Sequence, residues 1–106
     1  MAKQMRPTIV GLAGPADVRA IAGCRDTLMK ALEHGSDIHV DLSALTDVDL
    51  TLVQLITSAR RFAAATGKAL ALKVPAGDAL RSILERGGFL GSAQDREFWL
   101  HDTGAC

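Results

Sequence analysis

The chain has 106 residues, 48% of them hydrophobic and 23% charged, which is the size and composition of one domain with one core and leaves no room for a second. Twelve basic residues balance twelve acidic ones, so no overall field gathers nucleic acid or holds the protein to an anionic membrane. Two cysteines without paired spacing point away from a disulfide framework, and no apolar run approaches the roughly 20 residues of a membrane span. The start MAKQMRPTIV lacks the apolar stretch of a signal peptide, so a cytoplasmic location is expected.

In chain order, the segment from Pro7 to Leu12 holds the β-branched run TIVGL and predicts a short strand, at an edge or in a hairpin, closed by a turn at Gly11, Gly14 and Pro15. From Asp17 the period changes. Val18, Ile21, Ala22, Leu28, Met29 and Leu32 recur at helical spacing, which predicts a first helix from about Asp17 to His34 with Gly35 as its stop. In SDIHVDLSAL, Ile38, Val40 and Leu42 alternate with His39, Asp41 and Ser43, a strand with one apolar face.

An aspartate-rich turn follows, and then Leu52, Leu55, Ile56, Ala59, Phe62 and Ala63 form the stripe of a second helix that ends at Gly67. KALALKV is the next strand, with Leu70, Leu72 and Val74 on one side and Ala69 and Ala71 on the other; Pro75 ends it. Asp78 is placed to cap a third helix through Leu80, Ile83 and Leu84, with Gly87 and Gly88 as its exit and Phe89 and Leu90 folding back as an apolar plug. The tail REFWL reads as a last strand or a short helix. Strands separated by helical crossovers make an α/β sandwich.

Several chemistries lack their residues. GLAG is too short for a dinucleotide fingerprint, and in AAATGKA a phosphate loop would need glycine at Phe62, a hydroxyl at Ala69 and a helix that starts where this one stops. His34, His39 and His101 are scattered, and His39 on the polar side of a strand reads as a surface residue. Cys24 reads as a small core residue, because nothing beside it in sequence would activate its thiol; Cys106 reads as exposed. Asp41, Asp47 and Asp49 cluster at one joint, whereas a receiver-type site draws its acids from separate strands. Asp49 is placed to cap the second helix, and Asp47 and Asp49 both suit its positive end.

The order and spacing of VDLSALTDVDLTLVQLITSARRF, TGKALALKVP and ALRSILERGGF resemble the STAS domain, the family of anti-sigma factor antagonists and of the cytoplasmic domains of sulfate transporters. The resemblance spans roughly residues 8 to 90. It implies a STAS-like α/β sandwich over residues 1–106, with a core of about 7–92 and residues 93–106 as tail or last strand. Its sheet would be mixed, with four to five strands and helices mainly on one side.

The resemblance implies no catalysis and no cofactor or metal, and a docking surface of Asp47, Asp49, Leu50, Thr51 and Leu52 at the loop and N-terminus of the second helix. Leu50 and Leu52 either belong to that patch or pack inward, and the helix stripe favours the inward placement for Leu52. In phosphorylatable members the hydroxyl residue directly after the helix-leading Asp is the target of a partner serine kinase. Here that position is Leu50, and Leu52 stands where the family keeps a glycine. Thr51 matches the second hydroxyl position and is the candidate acceptor that the resemblance leaves. The implied partner is an anti-sigma factor of histidine-kinase-like ATPase fold or, alternatively, the ATPase of a lipid-transporting ABC system. A small ligand- or nucleotide-binding domain is a further alternative, and an exposed sheet edge would allow a dimer.

Overall fold

A computed structural model describes residues 8–34 and 37–101. The expected strand start at Pro7, the helix stop at Gly35 and the exposed Cys106 lie outside the described residues. The elements are β1 (Thr8–Ala16), α1 (Ile21–His34), β2 (Ile38–Val48), α2 (Leu50–Ala65), β3 (Leu70–Leu72), α3 (Asp78–Arg86) and α4 (Ala93–Leu100).

The sheet of the described residues has three strands in the order β1-β2-β3, and both pairings are parallel. It is therefore smaller and more uniform than the mixed sheet of four to five strands that the resemblance implied, and the hairpin alternative for β1 falls away. REFWL lies in the short helix α4, not in a strand.

β1 runs four residues beyond Leu12, through the expected turn. Gly14 adopts φ +78° and Pro15 follows it inside the strand. Both are tolerated because β1 is an edge strand, where a missing N–H and a local irregularity break no central ladder. The pairing of β1 with β2 shifts between Gly11 and Ala13 and again between Gly14 and Pro15, each time with an extra residue on β2. The first shift has a local cause. Asp41 accepts hydrogen bonds from the Ser43 N–H at 2.9 Å and the Ser43 hydroxyl at 2.6 Å, so the Asp-Leu-Ser segment curls on itself and leaves the ladder for one step.

α1 starts at Ile21, four residues later than its periodicity suggested. The Asp17 carboxylate accepts from the Arg19 N–H at 3.1 Å and its carbonyl from the Ala20 N–H at 3.0 Å, a local turn that competes with helix. Val18 consequently leaves the apolar stripe and is 69% exposed. Asp78 is likewise the first residue of α3 rather than its cap; Gly77 holds the cap position and makes no side-chain bond.

Strand alternation places Val10, Leu12, Ile38, Val40, Leu70 and Leu72 in one core with Leu28 and Leu32 of α1, Leu52, Val53, Ile56, Ala59 and Ala63 of α2, and Leu80 and Leu84 of α3. The opposite strand positions Ile9, Gly11 and Ala13 are exposed, so the helices cover one face of the sheet on the β1 side. Phe89 and Leu90 pack against the core as the expected plug. α2 and α3 both end in a glycine turn: Lys68 N–H reaches the Ala63 carbonyl at 2.7 Å after Gly67 (φ +77°), and Phe89 N–H reaches Leu84 at 2.9 Å after Gly88 (φ +75°).

α4 closes the side of the core beyond β3. Ser92 caps it through the Asp95 N–H at 3.0 Å, Trp99 is buried, and the Phe98 and Trp99 rings meet edge to face at 5.0 Å. The Arg60 guanidinium lies 4.2 Å from the Phe98 ring centroid and 3.3 Å from Asp95, and so joins α2 to α4.

Candidate functional site: the joint of β2 and α2

One residue separates the strand from the helix. β2 ends at Val48, Asp49 is extended (φ −144°, ψ −172°), and Leu50 opens α2. The first N–H groups of a helix have no intrahelical acceptor, and Asp49 supplies one. Its Oδ1 accepts from the Thr51 N–H at 2.9 Å, as the sequence predicts for a cap. Its Oδ2 accepts from the Val18 N–H at 3.1 Å, thirty-one residues away in the chain. A single carboxylate therefore caps α2 and ties the β1–α1 loop to the joint.

The Thr51 side chain is the largest influence on the acidity of Asp49. With the N–H groups of Thr51, Val18 and Leu52, it outweighs partial desolvation and holds the carboxyl below its ordinary value. Asp41 is also held low, by the Ser43 hydroxyl and N–H and by Lys73, whose Nζ lies 4.0 Å away. The Asp47 carboxylate is exposed, with the Thr46 hydroxyl at 3.4 Å. The three aspartates thus have separate partners. Among the described residues no group of three or more His, Cys, Asp and Glu is gathered as a metal site.

The side chains after Asp49 divide sharply. Leu50 is 47% exposed, Thr51 is half-buried, and Leu52 is fully buried in the core. Leu52 therefore has no surface to present, and of the two placements open to it the inward one holds. Val18, 69% exposed, is tied to the same joint by its N–H bond to Asp49. Nothing in the local sequence marks Val18, whose position depends on a turn at Asp17 and a bond across the fold.

Thr51 occupies a place poorly suited to phosphate. The helix N-terminus favours an anion, but the Asp49 carboxylate already occupies it, accepting from the Thr51 N–H at 2.9 Å. A phosphoryl dianion there would face that carboxylate at close range.

Other candidate residues lie elsewhere. Cys24 is buried, and desolvation raises its thiol pKa, which suits a core residue rather than a nucleophile. A groove of about 540 Å³ runs beside β3 and α4, lined by residues that include Arg60, Leu72, Phe98 and His101. Its polar groups are engaged within the fold: Arg60 meets Asp95 and Phe98, and the His101 Nε2 lies 2.9 Å from the Leu72 carbonyl oxygen. His101 ends α4 in the left-handed conformation (φ 56°). No residue of the joint lines that groove. No helix among the described residues is long and apolar enough to cross a membrane.

The family model described as "Mlab, STAS domain" matches residues 1–91 of this chain. Neither the curated proteins nor the solved structures compared with the chain gave a match.

Proposed function

The chain belongs to the STAS domain family, and on that premise we propose that it is a non-catalytic docking module that engages an ATPase-fold partner through the β2–α2 joint. The observation that supports this reading is that two exposed apolar residues adjoin Asp49, Leu50 as its neighbour in the chain and Val18 through its N–H, while both carboxylate oxygens accept from the chain's own N–H groups. An acid used in this way orders a surface; it offers no free base for chemistry. Apolar side chains held on an ordered joint suit a contact with another protein.

Two partner classes fit such a module. An anti-sigma factor that releases its antagonist by phosphorylating it needs a hydroxyl at position 50, and leucine has none. The ATPase of a lipid-transporting ABC system, held by a constitutive accessory subunit, makes no such demand. Leu50 favours this second class.

The test is capture from the native lysate with wild-type and Leu50→Arg proteins side by side, followed by mass spectrometry of the captured chains and of the bait. Recovery of an ABC ATPase by the wild type, its loss with the folded variant, and an unmodified bait are expected. A serine kinase on the beads with phosphate on Thr51 would move the assignment to the anti-sigma class. Equal recovery of the ATPase by both proteins would remove Leu50 from the interface.

A further inference from the structure

The two edges of the sheet differ. On the β3 side α4 packs against the strand, and the His101 Nε2 lies 2.9 Å from the Leu72 carbonyl oxygen. On the other side, no element among the described residues lies beyond β1 in the sheet.

The backbone of β1 decides what can be added there. The Thr8 N–H donates to the Asp37 carbonyl at 2.9 Å, which turns the backbone groups of Thr8, and by strand alternation those of Val10 and Leu12, toward β2. Both register shifts place their extra residue on β2, so the alternation runs unbroken along β1. Ile9, Gly11 and Ala13 therefore point their N–H and carbonyl groups outward, and among the described residues these six groups have no hydrogen-bond partner. Pro15 is the next outward position, and it ends the run because it has no N–H.

Natural edge strands are blunted by charge, proline or a bulge. Here the blunting is confined to Gly14 and Pro15, and Thr8–Ala16 contains no charged residue. Along the edge, Gly11, Ala13 and Pro15 face Gly23, Cys24 and Thr27 of α1 across a hollow of about 370 Å³ lined by no charged residue. A strand arriving at this edge meets neither a charge nor a bulky side chain on the helix side.

The edge is also complementary to itself. An antiparallel two-fold centred on Gly11 sets Gly11 against Gly11 and Ile9 against Ala13 of the second copy, and it is the one register that pairs all six outward groups of each chain. Ile9, 57% exposed, then lies against a small residue at both ends of the ladder, and no like charges are brought together. We infer that two copies of this chain join their β1 edges antiparallel about Gly11, making one six-stranded sheet. The paired stretch stops at Ala13, short of Val18 and the β2–α2 joint, so the dimer is independent of the docking reading.

The test is sedimentation of the wild type, of Gly11→Lys, of Gly11→Asp and of an equimolar mixture of the two variants, with amide exchange followed by NMR on the labelled wild type. A Cβ at Gly11 meets nothing within 4 Å, so both variants are expected to melt as the wild type does. At the two-fold axis each variant sets like charges face to face, and the mixture sets opposite ones. The wild type is expected to be a dimer by about 1 mM, each variant to dimerise at least about tenfold more weakly, and the mixture to regain the dimer. The amides of Ile9, Gly11 and Ala13 are expected to gain protection as the wild-type dimer forms, a readout that does not depend on either variant folding. A wild type that stays monomeric, protection of those amides in the monomer because the chain covers its own edge, or a dimer that both variants leave unchanged because another face associates would overturn the inference.

Discussion

Asp49 sits where three demands meet: it caps α2, tethers the β1–α1 loop and lies against Thr51. Its folded-state pKa is depressed, so its stabilising contribution is present above the unfolded value of about 3.9 and is lost as pH falls through the lower folded value. Asn preserves a neutral cap but not the charge. Asp49→Asn should therefore melt below the wild type at neutral pH, and the gap should close below about pH 4 in melting curves taken across an acid series. Asp49→Ala, which loses cap and tether together, should melt lower still at neutral pH. The cap was legible because an aspartate immediately before an apolar helical stripe has few other uses. The tether to Val18 was not, since it joins positions that no local pattern relates.

At the scale of elements, periodicity located the helices and the central strand but misplaced their ends. α1 lost its first turn to Asp17, whose side chain bonds the backbone two residues on, a competition that helical spacing does not register. β1 gained length because parallel pairing to β2 carries it past Gly14 and Pro15, residues that stop an unpaired strand. KALALKV shortened to three residues, as Lys73 makes one last backbone bond to Val40 before the chain leaves the sheet. The α2 exit was readable from its glycine. Gly67 is left-handed, and the turn it makes sends Lys68 back to Ala63, while the Lys68 ammonium reaches the Leu32 carbonyl of α1. Gly67→Ala should cost about 1 kcal/mol by denaturant titration, since a Cβ disfavours that conformation wherever the space is open. A cost near zero would show that the turn relaxes without loss.

Across the whole molecule, a small parallel sheet leaves one side of the core to be closed by something other than a strand, and α4 does this with Phe98 and Trp99. The tail holds the only tryptophan, yet two consecutive aromatics and a leucine do not distinguish strand from helix. Trp99→Ala should cost about 3–5 kcal/mol by denaturant titration, a large share of the stability of a domain this size, at a position remote from the β2–α2 joint in the chain. Leu50→Arg should behave in the opposite way, within about 0.5 kcal/mol of the wild type in stability because the side chain is already half in water. That contrast separates a side chain that closes the core from one that stands in water at the joint.

Docking through the joint is tested by calorimetric titration of the purified partner ATPase into the wild type and Leu50→Arg, with melting curves of both. A melting temperature unchanged to within a few degrees and at least about a tenfold loss of affinity are expected, the effect of a charge forced into an apolar contact. An equal affinity in a fully folded variant would contradict docking there.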